Sequence, residues 1–290
     1  MAMRHDGQKG DDADRGGRNS PTDRTGLGHA GDDSVPLVLQ AQYLYAIVPA
    51  DLMLAEDLCG IDDQPVVLIT HQALAVAASP TSRTQIRPER AQLAAHHAVL
   101  KALMAEATVL PMAFGTIAQS MDDIRQFIGE EAESLIRQLA RVQGTYEIGL
   151  RARLVVPDVM TYLVAAVPAL RASRDAAFGG GRSPTHHERI ALGTQVDREL
   201  ERLRERHVAQ LLPALMPMCV DICRNPPRDI AELLNLACLV RRQDQQAFER
   251  ALEDCAEAFD DCITFELSGP WAPHHFCHVE FTTGDGHASP

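Results

Sequence analysis

Tyr43, Tyr45 and Ile47 alternate with Leu44, Ala46 and Val48, so six consecutive positions are apolar before Pro49 ends the run. Apolar residues on both faces predict a central strand covered from both sides. A short helix is expected over 52–58. Pro65-Val-Val-Leu-Ile-Thr70 and Ala73-Leu-Ala-Val-Ala77 then predict two strands of a hairpin, joined through His71 and Gln72. Pro88 opens a predicted helix whose stripe runs through Leu93, His96 or His97, Leu100, Leu103 or Met104, and Ala107. Val109-Leu-Pro-Met-Ala-Phe-Gly115 reads as a short strand and turn. A second amphipathic helix carries Ile124, Phe127, Ile128, Leu135, Leu139 and Val142, and Gly144 can close it in a left-handed conformation.

The second half repeats the scheme. Tyr146, Ile148, Leu150, Ala152 and Leu154 alternate with Glu147, Arg151 and Arg153, which predicts a half-buried strand with one solvated face. Helical material is expected over 158–174, a break at Phe178-Gly-Gly-Gly181, and a helix over 186–212 with Ile190, Val196, Leu200, Leu203 and Leu211 on its buried stripe. Strands over 218–224 and 233–241, a helix over 243–259 and a strand over 262–267 complete the half. Each half reads β-α-β-β-α-β, so the expected fold class is α+β: two ferredoxin-like (split βαβ) domains with long helices, over 36–144 and 145–281. The first 35 residues hold seven Asp and seven Gly with almost nothing to bury, and a disordered N-terminal tail is expected there. A second disordered tail is expected over 282–290.

Composition narrows the function classes. The net charge is −13, with 27 basic residues against 40 acidic ones. Neutralising phosphates needs clustered Lys and Arg, so nucleic acid is excluded as a partner, and anionic membrane surfaces are disfavoured too. The seven cysteines form no C-x-x-C pair and several lie in apolar runs, such as Leu236-Ala-Cys238-Leu-Val240. They read as reduced, mostly buried cytosolic thiols. No uninterrupted apolar run is long enough to span a bilayer, and the N-terminus lacks the apolar centre of a signal peptide.

Twelve histidines invite a metal reading. His96 and His97 diverge by about 100° on a helix, one toward the core and one toward water, so they do not chelate together. His186 and His187 follow the glycine-rich break and read as solvated. In the group His274, His275 and His278, Pro273 and Gly269-Pro270 favour an extended turn over a chelating helix. Gly179-Gly-Gly181 has no following Gly-Lys-Ser/Thr and cradles no phosphate. Cys219 and Cys223 fall on one face of a regular strand and read as small buried hydrophobes. Along 197–206, Glu199 with Arg202 and Glu201 with Arg204 meet at i, i+3 on a solvated helix face. No catalytic, cofactor-binding or metal-binding residue is identified.

Several segments together resemble the GvpL/GvpF gas vesicle family: Tyr43-Leu-Tyr-Ala-Ile-Val-Pro49, His96-His-Ala-Val-Leu100 and Val109-Leu-Pro-Met-Ala-Phe-Gly-Thr-Ile117. Glu147-Ile-Gly-Leu-Arg151, Asn235-Leu-Ala-Cys-Leu-Val240 and Leu267-Ser-Gly-Pro-Trp-Ala-Pro-His-His-Phe276 follow in family order. The resemblance marks Tyr45, Pro49, His96, Pro111, Phe114, Gly115, Thr116, Asn235, Gly269, Pro270, Trp271 and Phe276 as motif positions of structural weight. Family members often carry Arg where Ala113 stands, and Gly-Pro-Trp-Pro-Pro-Tyr-Ser-Phe where Ala272, His274 and His275 intervene here.

The resemblance implies a non-enzymatic accessory or minor structural protein of the gas vesicle, found in the cytoplasm and at the vesicle. It would assist nucleation of the shell by binding the small hydrophobic shell protein (GvpA type) and preventing its aggregation, beside other gas vesicle accessory proteins. It implies no cofactor. Trp271 reads either as an anchor closing the second domain or as a contact for the shell. The rival reading is a cofactor-binding protein or enzyme on a duplicated ferredoxin-like fold, which requires a pocket with convergent polar groups.

Overall fold

The computed structural model describes residues 40–179 and 183–281. The tails expected at 1–35 and 282–290, and Gly180 and Gly181 of the glycine-rich break, lie outside the described residues. Among those residues the fold is mixed α/β, with two antiparallel sheets and six helices.

The first half contains β1 (Gln42–Pro49), β2 (Val67–His71), β3 (Leu74–Pro80), α1 (Arg90–Glu106), β4 (Leu110–Pro111), β5 (Ile117–Ala118) and α2 (Met121–Arg141). The strands pair in the order β2-β3-β1-β4, with β5 also on β1. β1 is central and buried along nearly its whole length, because α1 covers one face and α2 the other. A register shift between Leu44 and Ala46 inserts a β-bulge at Tyr45. The bulge turns Tyr45 and Ala46 to the same side, where both join Tyr43 and Val48 under α1; Leu44 and Ile47 pack under α2. The Ser120 hydroxyl accepts from the Asp123 N–H at 3.1 Å to cap α2, and Gly144, at φ +68°, follows its end.

The expected helix over 52–58 does not form; the segment is a loop stitched by short turns, Leu52 N–H to Pro49 O and Leu58 N–H to Ala55 O. Seven residues are too few to offset helix nucleation, and Leu52, Leu54 and Leu58 find apolar cover against α1 without it.

The second half contains β6 (Thr145–Leu154), α3 (Val159–Ala166), α4 (Pro168–Phe178), α5 (His186–Leu215), β7 (Cys219–Arg224), β8 (Glu232–Arg241), α6 (Gln245–Ala256) and β9 (Ile263–Trp271). The sheet order is β7-β8-β6-β9. Ile148, Leu150, Ala152, Leu236, Cys238 and Val240 pack on one face with residues of α3, α4, α5 and α6. The expected i, i+3 pairs Glu199 with Arg202 and Glu201 with Arg204 both form. Arg204 is not solvated, however: its guanidinium also donates to the carbonyls of Asp229 and Glu232, each at 3.1 Å, tying α5 to the turn before β8. Cys219 and Cys223 do not share a face. A second bulge between Cys219 and Asp221 reverses the alternation, so Cys219 packs with the helices and Cys223 against the other cluster.

The halves share apolar contacts. Ala237 and Leu239 of β8, with Phe276, join Leu44, Val76, Ile124 and Leu135 in one cluster. Arg242 adds a polar tie, donating to Ala107 O at 3.0 Å while its guanidinium lies 4.7 Å from the Tyr146 ring centre.

Candidate functional site

Two polar constellations stand out, one closed and one open. The closed one is built where β1 meets α1. Tyr43 accepts the Gly115 N–H at 3.1 Å and bonds His96 Nδ1 at 2.9 Å. The Tyr43 O–H has no other acceptor among the described residues, so it is assigned as donating to Nδ1, which puts the proton of a neutral His96 on Nε2. That Nε2 is buried and has no hydrogen-bond partner among the described residues. Burial, helped by His97 and His274, lowers the His96 pKa to about 4. Tyr45 accepts the Ile61 N–H at 2.8 Å and pairs with Ser79 Oγ at 2.8 Å. Phe114 packs edge-on against Tyr43 and His96, and Gly115 supplies the positive φ (+91°) that presents its N–H to Tyr43.

The open constellation lies on the second face of the C-terminal sheet. The odd-numbered residues of β6 point there, and at one end that face is covered: Glu147 is only 5% exposed, although alternation predicts a solvated face. Its carboxylate accepts the His275 N–H at 2.9 Å and meets His275 Nδ1 at 2.6 Å, so it holds the chain after β9 in place. Gly269, at φ +119°, makes the preceding bend. A Cβ there would sit 2.9 Å from Glu147 O, so no other residue fits without displacing backbone.

Beyond Glu147 the face opens into a cleft of about 650 Å³. Gly149 and Ala237 contribute little bulk to its lining, Arg151, Arg228 and Asn235 flank one side, and Trp271 stands on the other. Trp271 is 40% exposed; its Nε1–H donates to Ser268 Oγ at 3.3 Å and its ring centre lies 5.5 Å from that of His97 on α1. Arg151 Nε lies 3.8 Å from a carboxylate oxygen of the fully buried Glu232. The other Glu232 oxygen accepts the Arg228 N–H at 2.5 Å and fixes the turn that carries Arg228.

The motif residues therefore divide. Tyr45, His96, Phe114 and Gly115 meet in the closed constellation, and Thr116 braces it through Oγ1 to Ala113 O at 2.7 Å. Pro49 ends β1 opposite Leu74, and Pro111 pairs with Ala46. Asn235 and Trp271 line the cleft, Gly269 and Pro270 lead into it through a cis bond, and Phe276 is buried in the shared core. Among the described residues no group of three or more His, Cys, Asp or Glu side chains is arranged to hold a metal ion.

The family model for gas vesicle synthesis protein GvpL/GvpF matches residues 41–278. The chain belongs to the GvpL/GvpF family. It is 29% identical over 239 residues to gas vesicle protein F of Streptomyces sp. (strain CB03234), covering 81% of this chain and 98% of that one. Gas vesicle protein L of the same strain is 25% identical over 259 residues, covering 82% and 93%. The crystal structure of gas vesicle protein GvpF from Microcystis aeruginosa superposes with a TM-score of 0.72 at 21% identity, over 82% of this chain and 99% of that one. That of GvpF from Anabaena sp. PCC7120 gives 0.72 at 20% identity, over 83% and 99%. The fold is thus the GvpF fold, and the relatives support a gas vesicle role.

For this GvpL/GvpF member the motif residues of the first half are consumed by internal hydrogen bonds and packing. Arg228, which sequence reasoning did not name, shapes the open cleft together with Glu147, Arg151 and His275, which it named without placing them in one site. Only the alternation of Glu147 and Arg151 along β6 signalled a polar face; Arg228 sits in a Pro-rich turn with no periodic signal.

Proposed function

We propose that this protein is a non-enzymatic accessory protein that helps the small hydrophobic shell protein, of the GvpA type, to nucleate into a gas vesicle. It binds that protein before assembly and keeps it from aggregating, in the cytoplasm and at the vesicle, beside other gas vesicle accessory proteins. The observation that carries this reading is the extent of the family match. Nearly the full lengths of gas vesicle proteins F and L, 98% and 93%, are matched, so the shared object is a whole fold rather than a borrowed segment.

The physical support is the supply of unpaired sheet edge. β2 and β7 are edge strands, and each exposes a valine, Val67 on β2 and Val220 on β7. An unassembled shell subunit with apolar surface and open strand edges is capped by such an edge through backbone hydrogen bonds. We read the two halves, divided near Gly144, as two domains of split βαβ type. The C-terminal half runs strand, helices, two strands, helix, strand, and the N-terminal sheet repeats its strand order without a helix between β1 and β2.

The test is co-expression of the tagged chain with the small shell protein, followed by affinity capture, repeated without residues 1–35. Retention of the shell protein by both forms is expected. Retention by neither contradicts direct shell binding; retention only by the full chain contradicts binding through the folded part.

A further inference from the structure

Beyond its gas vesicle role, the open cleft has a composition at odds with the rest of the molecule. In a chain of net charge −13, its rim carries a guanidinium without a partner: the Arg228 side chain makes no hydrogen bond or ion pair among the described residues, while its backbone is anchored to buried Glu232. The nearby acids are already engaged. Glu147 is held by His275, Glu232 faces Arg151 at 3.8 Å, and Asp229, next to Arg228, pairs with Arg153 at 2.9 Å. Arg151 is thus partly neutralised, and Arg228 is the cation of the cleft left to meet a ligand, with Lys101 in the lining of the adjoining hollow.

The other wall is mainly apolar, with His97 and Lys101 among its residues. Trp271 and His97 also border a smaller hollow of about 170 Å³, whose lining includes Ala98, Leu100 and Met104. The two hollows share those two side chains, so an apolar notch adjoins a hydrogen-bonding, cationic cleft. A half-exposed Trp with its N–H already satisfied by Ser268 offers a ring face and no unmet polar demand. A small anion would use only the arginine end.

We propose that this trench is a binding site for an acidic peptide segment of a partner protein, one that places an apolar side chain in the notch beside Trp271 and a carboxylate on Arg228. Charge complementarity fixes the acidic end, and the notch sets the apolar one. The cleft adjoins the end of β7 at Asn225, but Val67 and Val220, invoked for the shell protein, are not in its lining, so each proposal can fail without the other.

Trp271 is the chain's single tryptophan, so intrinsic fluorescence reports on the site directly. The full-length chain is titrated with an array of acetylated, amidated hexapeptides that carry one Leu or Phe at every spacing from one Asp, with Asp→Asn peptides and free acetate alongside. A saturable emission change is expected for at least one Asp spacing, weakened roughly tenfold or more by Arg228→Glu and by Asp→Asn in the peptide. Thermal melting of Arg228→Glu should match the parent, because that side chain has no partner to lose. The proposal is overturned if no peptide perturbs the emission up to about 1 mM, if acetate gives the same response as the best peptide, or if Arg228→Glu binds that peptide equally well.

Discussion

β1 and β6 occupy the same place in sheets of the same strand order, yet their surroundings differ. β1 has helices on both faces and buries two tyrosines completely; β6 has helices on one face, while the other is covered only near Glu147 and opens beyond it. In the first sheet, polar groups answer one another: Tyr43 with His96 and Gly115, Tyr45 with Ser79 and Ile61. In the second, Arg228 and a half-exposed Trp271 are left facing solvent. Polar residues at the heart of a closed sheet specify the fold, whereas the same chemistry on an uncovered face is available to a partner.

The contrast breaks most visibly under truncation. Tyr43→Ala should destabilise the fold by about 3–5 kcal/mol through lost burial and a cavity, read by denaturant unfolding; a cost near that of a surface change would remove the closed constellation from the fold's support. Next comes pH. His96 is held neutral, with its folded pKa at about 4 below its ordinary 6.5. The unfolded chain therefore takes up a proton first as pH falls. Stability is fully present above about pH 6.5 and declines toward pH 4, by about 3 kcal/mol in total. His96→Gln should flatten that segment of the stability profile, whatever its effect on the plateau.

Gly269→Ala should cost about 1–3 kcal/mol, because a positive φ and a Cβ 2.9 Å from Glu147 O both oppose it. Gly144→Ala, also at positive φ but facing open space, should cost about 1 kcal/mol. Paired thermal melts separate close approach from backbone conformation alone. The smallest effect belongs to the open cleft: Trp271→Phe should change stability by less than about 1 kcal/mol, since the side chain is 40% exposed.

The chain pattern made the closed half readable. Six apolar positions in a row at 43–48 specify a strand covered on both sides, and the stripe from Leu93 to Met104 specifies α1. What stayed hidden depends on offsets of a single residue. The bulge at Tyr45 and the one after Cys219 reverse alternation without any change in composition, and the second separates two cysteines that regular alternation places together. The cleft was less legible, because it exists only where β6, the turn at Arg228, the end of β9 and α1 converge. Glu147 illustrates why: alternation marks it as polar and outward, but only the fold brings His275, 128 positions later, to cover it.

The central claim, that this GvpL/GvpF protein keeps the shell protein competent for assembly, is tested most directly by diluting purified shell protein from denaturant and following light scattering with increasing amounts of the folded chain. The account predicts dose-dependent suppression of scattering, diminished when Val67 and Val220 on the sheet edges are both replaced by Lys. Scattering that is unchanged by the parent chain at stoichiometric excess would contradict it.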